Sequence, residues 1–282
     1  MIVIRLSSGL GNQLFMYAFY KYIESRYGEQ PFFDDKYFID HRGTIRESEL
    51  SIVYHNYPVH KFNFNPAGER RVKGYICRWK QMLFPSFNYV NEKDYDDSIK
   101  YTGNVYFNGY WQTDKYVKTL GFDIFEPQAP FPSLLETIRQ QIINAECSVS
   151  VHVRRGDYFM PKWIGRYGVC TAQYYVDAMA ELKKQLSAKP IYFIFSDDLE
   201  WVKQNIKFED ECVFVENHDV NSFWYIFLMS KCHHHIISNS TFSWWGAYLD
   251  VKPGKIVVGP SKWMLDTNES LMLSEWTKIN VR

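Results

Sequence analysis

Residues 191–238 read IYFIFSDDLEWVKQNIKFEDECVFVENHDVNSFWYIFLMSKCHHHIIS. Three short β-branched and aromatic runs, at 191–195, 213–215 and 235–238, alternate with two helical stretches, at 199–205 and 222–231. Strands that alternate with helices in this way call for a parallel sheet joined by crossovers. The rhythm extends in both directions. Upstream, 134–144 and 172–186 read as helices on either side of a strand at 148–153; downstream, 242–249 reads as a helix and 255–258 as a strand. The second half is therefore expected to be a doubly wound α/β unit, in which ligands bind beyond the carboxyl ends of the strands.

The amino terminus starts the same way. Residues 2–6 (IVIRL) form a strand, 7–13 (SSGLGNQ) a turn, and about 12–26 a helix in which Leu14, Phe15, Ala18, Phe19, Tyr22 and Ile23 follow helical spacing. A second strand is expected at 31–33, another at 105–110, and a short helix at 113–120. Residues 40–104 show no firm period and read as short helices and loops. The stretch 121–132, with Pro127, Pro130 and Pro132, is the best linker. Two Rossmann-like domains are expected, 1–130 and 131–282, facing a cleft, with the final residues free to pack back on the first.

The 282 residues suit two domains of ordinary size. Lys+Arg and Asp+Glu both number 32, so bulk charge gives no reason to expect a nucleic-acid partner. The five cysteines (Cys77, Cys147, Cys170, Cys212, Cys232) are dispersed with no CxxC pair, which fits reduced thiols in the cytoplasm. The chain opens without a signal peptide, and the apolar run at 224–229 is far short of the roughly 20 residues of a bilayer span. Aromatics at 18% would suit sugar binding, though a general habit of tyrosine usage explains most of them equally well.

Four motifs carry chemistry. The first is HVRRGDY at 152–158, at a strand end. Alternation along the strand puts His152 and Arg154 on one face, where a guanidinium fork suits a phosphate, and turns Arg155 away to brace the loop through Asp157. The second is Ser196-Asp197-Asp198. Here Ser196 or Asp198 caps a helix, and Asp197 accepts hydrogen bonds from a nucleoside. In the third, Ser238, Asn239, Ser240, Thr241 and Phe242 lead into a helix, and the hydroxyls and amides there form an anion site or a plain cap. The tryptophans that follow, Trp244 and Trp245, are read as packing the helix on its sheet. The fourth is the turn around Gly11 and Asn12; it allows close backbone approach to a ligand but falls short of a dinucleotide fingerprint, and Asn12 and Gln13 either hydrogen-bond a phosphate or sugar or cap the helix. The run Cys232-His233-His234-His235 looks like a metal cluster, yet neighbouring residues on a strand point to opposite faces, so no metal site is expected.

Together, SSGLGNQLFMYAFY, YFNGYWQTDKY, HVRRGDY, YFIFSDD and SNSTFSWWGAYL resemble glycosyltransferase family 11, the α-1,2-fucosyltransferases, in bacterial form. The resemblance covers nearly the whole chain. It implies a GT-B fold, GDP-fucose as donor, inversion at the anomeric carbon, and no metal or other cofactor. It implies a galactose 2-hydroxyl of a β-galactoside glycan as acceptor, free or lipid-linked. The first domain is then the acceptor side and the second binds GDP-fucose. Arg154 would hold the diphosphate, His152 and Asp197 the guanosine, Ser240, Thr241 and neighbouring amides the phosphates, with Gly11 and Asn12, two further residues expected at GDP-fucose, across the cleft. Arg154, Asp157 as candidate base and Asn12 make up the expected catalytic set. The alternatives are another GDP-sugar transferase, or a non-catalytic glycan- or nucleotide-binding protein on the same fold.

One asymmetry falls outside these motifs. Residues 70–91 hold Arg70, Arg71, Lys73, Arg78 and Lys80, no acidic residue, and the rings of Tyr75, Trp79, Phe84 and Phe87. Basic groups near an anionic leaflet contribute roughly 1 kcal/mol each, and aromatic rings favour the headgroup zone. This stretch is either a peripheral contact with the inner face of the membrane or a solvated loop with inward rings. A membrane contact predicts co-sedimentation with anionic liposomes that weakens with salt and is lost when the five basic residues become Gln. Wild-type protein that stays in the supernatant at low salt would rule it out.

Overall fold

Every strand pair described in the computed structural model runs parallel. Parallel neighbours need a crossover between them, and that requirement shapes both halves of the chain. The structure describes residues 1–40, 48–62, 87–267 and 270–281. It divides into two compact units, Met1–Ala129 and Pro130–Arg282, each built on its own sheet. The basic residues between 70 and 80 lie outside the described residues.

In the first unit β1 (Ile2–Arg5), β2 (Phe32–Asp34), β3 (Asn88–Asn91) and β4 (Val105–Asn108) lie in the order β2-β1-β4-β3. Helix α1 (Leu10–Tyr27) makes the crossover from β1 to β2 and stops at Gly28, whose φ of 68° lets its N–H bond back to Glu24. A short helix α2 (Lys36–Asp40) follows β2, and α3 (Lys115–Leu120) follows β4. Strand β3 stands where sequence patterning predicts only loops and short helices. Its four residues, NYVN, bury one side chain, Val90, so no alternation develops.

The core of this unit is aromatic. Phe19 of α1 stacks flat on Trp111, with centroids 3.7 Å apart and planes 3° apart, and meets Phe107 and Tyr116 edge-on. Trp111 is fully buried at a φ of 56°, and its indole Nε1 has no partner among the described residues. A left-handed backbone at so bulky a residue costs about 1–3 kcal/mol, so the surrounding packing must over-determine it. Ser8, in the turn after β1, also has a positive φ, 69°.

In the second unit the order is β10-β9-β8-β5-β6-β7. The strands are β5 (Ser148–Val153), β6 (Ile191–Ser196), β7 (Cys212–Phe214), β8 (His234–Ile236), β9 (Val257–Pro260) and β10 (Thr277–Ile279). The helices are α4 (Glu136–Asn144), α5 (Ile164–Tyr167), α6 (Ala172–Lys183), α7 (Leu199–Asn205), α8 (Phe223–Lys231) and α9 (Thr241–Tyr248). All six residues of β5 are buried. Helices α8 and α9 approach closely at Gly246, where an added Cβ would stand 2.8 Å from that of Met229. Trp244 and Trp245 are buried, as the sequence reading has them. The final strand β10 joins the second sheet as its edge; its half-exposed TKI carries no apolar run to announce it. Among the described residues, no helix is long and apolar enough to cross a membrane.

The histidine run has a structural account. His233 Nδ1 lies 2.9 Å from Ser148 Oγ, and His235 Nδ1 lies 2.8 Å from Ser150 Oγ across the β5–β8 pair. His235 Nε2 reaches Asp250 Oδ2 at 2.9 Å, and His234 Nδ1 accepts from the Ile256 amide. Each ring is thus committed to a different partner, and the three do not converge on one point. A further rung joins His152 Nδ1 to Ser238 Oγ at 2.9 Å.

Burial holds two of these rings neutral. His235 is pushed down from 6.5 to about 4, even beside Asp250. His152 is pushed down to about 3, by burial first and by Arg154 second. The unfolded chain therefore takes up protons before the folded one does. The stabilisation is complete above pH 6.5 and is lost as pH falls toward 4 and below, at up to about 1.4 kcal/mol per pH unit for each ring. The urea midpoint should drop steadily from pH 6.5 to pH 4.5. A midpoint unchanged between pH 7 and pH 5 would show that the two rings are not buried in neutral form.

Candidate functional site

Strand β5 is flanked by β6 and β8, so the turns leaving these three strands emerge together at one sheet edge. That is the edge at which open α/β sheets bind ligands. The structure brings His152, Arg154, Asp157, Asp197 and Ser238–Phe242 together there.

Arg154 occupies the centre. Its Nη2 donates to Asp157 Oδ1 at 2.6 Å, and its Nη1 lies 2.9 Å from Asp197 Oδ2. Its guanidinium carbon sits 5.4 Å from the Tyr158 ring. Burial works against its charge, but Asp197 and Asp157 outweigh that, and its pKa is raised. The Asp197 contact is doubly secured, because its Oδ1 also accepts the Arg155 amide at 2.8 Å. Asp157 is the more exposed of the two carboxylates, 40% at its side chain against 27% for Asp197.

This corrects one expectation. The loop is braced by Asp157 through Arg154, where strand alternation assigns Asp157 to Arg155. Arg155 does turn away from the His152 face, as expected, but it lies between two rings, 3.8 Å from Phe159 and 3.7 Å from Trp201. The reversal follows from the backbone: Arg155 has φ −121° and ψ −80°, and Gly156 follows at φ +20°. That turn swings Asp157 back under Arg154. A Cβ at Gly156 would stand 2.5 Å from Asp197 Oδ2. A shallow depression lined by Arg155, Gly156, Phe159, Asp197 and Asp198 opens beside the ion pairs.

Asp198 caps α7, its carboxylate accepting the Trp201 amide at 3.1 Å, while Ser196 Oγ accepts the Asp198 amide. In the third motif most side chains serve the fold. The Asn239 carboxamide is buried, and its Nδ2 donates to the carbonyls of Tyr167 and Trp263 at 3.1 and 2.9 Å. The Ser238 hydroxyl is likewise committed, to His152 and Ser243, and Ser240 accepts the Phe242 amide as the cap of α9. The Phe242 ring packs 5.4 Å from His152. What this turn offers a ligand is the half-exposed Thr241 hydroxyl and the first amides of α9. His152 offers Nε2, its second ring nitrogen.

Gly11 and Asn12 lie in the first unit. Gly11 is buried as the second residue of α1. Asn12 is half-buried, with Nδ2 on Ser8 Oγ at 3.0 Å and Oδ1 taking Gln112 Nε2 at 2.7 Å. Sequence reasoning missed Gly156, Phe159 and Trp201. Only the WVKQN helix following SDD hinted that a ring would stand near Arg155.

Residues 79–280 match the family described as Glycosyl transferase family 11. The chain belongs to glycosyl transferase family 11. Alpha-1,2-colitosyltransferase of Escherichia coli is 33% identical over 93% of this chain and 92% of its own. The O-antigen biosynthesis glycosyltransferase WbnK of Escherichia coli is 29% identical over 97% and 99%. Galactoside alpha-(1,2)-fucosyltransferase 1 of Ateles belzebuth is 33% identical over 47% of this chain and 38% of that relative. Among solved structures, NodZ alpha-1,6-fucosyltransferase soaked with GDP-fucose aligns with a TM-score of 0.54 at 16% identity, over 88% of this chain and 92% of that one. That likeness bears on the fold, which is α/β of GT-B type.

For this family 11 transferase the Gly156 turn is a sharp point of test. Gly156→Ala should displace Asp197 from Arg154 and lower the transfer rate tenfold or more, since misplacing a site by about 1 Å can cost on the order of a hundredfold. Gly165→Ala, whose Cβ would enter open space, should transfer like wild type. Equal rates for the two variants would remove the turn from the site.

Proposed function

We propose that this chain is an inverting α-1,2-fucosyltransferase that moves fucose from GDP-fucose to the 2-hydroxyl of a galactose in a β-galactoside glycan. The observation that carries this reading is Arg154, a cationic fork fixed between Asp157 and Asp197 at a strand's carboxyl end. Breaking the sugar–phosphate bond leaves negative charge on the departing diphosphate and positive character on the sugar ring. Arg154 stands ready to take the negative charge, supported by the Thr241 hydroxyl and the first amides of α9, so the response needs little reorganisation.

The same step gives Asp157 its role. While Arg154 holds it, the Asp157 carboxylate is an anchor. When the diphosphate draws the guanidinium away, the Asp157 carboxylate is the group that accepts the proton of the attacking hydroxyl. Asp197 keeps Arg154 in register through its second bond, to the Arg155 amide. In this reading Asp197 and His152 Nε2 also face the nucleoside side of the donor. The enzyme would act in the cytoplasm, on free or lipid-linked glycans at the inner face of the membrane. Four free cysteines among the described residues, three of them buried, fit a reducing compartment.

A second donor has a specific observation behind it, the 33% identity to a colitosyltransferase over nearly the full length of both chains. Colitose is fucose without its 3-hydroxyl, so the two donors differ by one polar contact. Incubation with lactose and either GDP-fucose or GDP-colitose, read by mass spectrometry, tells them apart. A product with neither, but with another GDP-sugar, would move the enzyme to a different donor. Arg154→Ala should fold normally and lose about a hundredfold to a thousandfold in rate, equivalent to about 2.7–4 kcal/mol. Arg154→Lys should recover little of it, because the ammonium lacks the fork. Unimpaired turnover in Arg154→Ala would refute this mechanism.

A further inference from the structure

The turns after β1 and β4 leave neighbouring strands at the same sheet edge of the first unit, and both are held stiffly. Ser8 lies at φ 69°, its hydroxyl accepting Asn12 Nδ2 and its carbonyl accepting Gln13 Nε2. After β4, the Tyr110 amide donates to Glu92 at 2.8 Å, Trp111 is locked onto Phe19, and the Thr113 amide bonds back to the Trp111 carbonyl at 2.8 Å. Trp111 thus combines left-handed backbone with an indole N–H that has no partner among the described residues, and strain of this kind clusters at functional sites. What this turn aims is Gln112. Its Nε2 donates to Asn12 Oδ1 at 2.7 Å, the bond that joins the two turns.

That bond fixes which end of the Gln112 carboxamide is which. Its Oε1 and its second amide hydrogen have no partner among the described residues, and the side chain is half-exposed. An acceptor and a donor held side by side at fixed orientation match a sugar hydroxyl, which donates and accepts at once. Tyr110, two residues earlier and 42% exposed, adds an aromatic face of the kind that packs on the C–H side of a pyranose.

The geometry points to Gln112 as a binding residue for the acceptor sugar, contacting a hydroxyl of its terminal pyranose, with Asn12 as the residue that orients it. This rests on the transferase reading above and adds the residue that would select the acceptor.

Lactose binding followed by saturation-transfer NMR reads the contact directly, without turnover. Calorimetry with GDP reads the donor side separately. Gln112→Met keeps the length of the side chain and removes both polar atoms; Gln112→Ala removes the side chain. Both should weaken lactose binding about tenfold, the effect of one lost hydrogen bond, and leave GDP affinity and melting temperature as in wild type. Lactose affinity unchanged in Gln112→Met, or no saturable lactose signal with wild type, overturns the assignment. Failure of wild type to bind GDP would instead count against the donor reading, and the lactose titration would still decide on Gln112.

Discussion

The carboxyl edge of the second sheet depends on one guanidinium. Arg154 leaves the central strand and ties the loop after β5, through Asp157, to the loop after β6, through Asp197, beside the bond from the Arg155 amide to Asp197. Without a cation between them these carboxylates would repel, and without carboxylates a largely buried arginine would be left uncompensated, which is the costlier fault. The constraint propagates outward. Asp157 can reach back only because Gly156 turns the chain at a φ few side chains accept, and Asp197 can sit so close only because Gly156 has no Cβ. Arg155, displaced by the same turn, finds its place between Phe159 and Trp201.

The first unit solves a similar problem by packing. Its turns are held by rings, with Trp111 on Phe19 and Phe19 against Phe107, and by amide-to-amide bonds between turns. The two units thus differ in what a substitution would disturb. In the second, a change of charge at the edge reorganises the loops. In the first, the edge polar groups inherit their positions from the aromatic core, and a change beneath them would be felt above.

Regular alternation made most of the fold legible in the sequence. The apolar runs of β5 and β6 are buried throughout or nearly so, and both read clearly. Strands β3 and β10 did not, because NYVN buries one residue and TKI none, and their pairing is set by neighbours far away in sequence. At the site, strand alternation separated Arg154 from Arg155 correctly but could not foresee a turn at Gly156 that exchanges their partners. The hydroxyl-rich turn at 238–243 misled for a different reason. A count of serines does not distinguish groups aimed at a ligand from groups bonded to each other, and Ser238, Ser240 and Ser243 belong to the second kind.

The bond between Ser150 and His235 is a rung that secures β8 to β5. Ser150, His235 and Asp250 stand in hydroxyl–imidazole–carboxylate order at 2.8 and 2.9 Å, the arrangement of a serine hydrolase. All three are sealed in the interior, the imidazole and the carboxylate at 0% side-chain exposure. No scissile carbonyl can approach that serine, and no leaving group can depart from it. A search that recognises enzymes by interatomic distances alone would name this protein an esterase. Solvent access separates a nucleophile from a rivet, and here it assigns the triad to the framework.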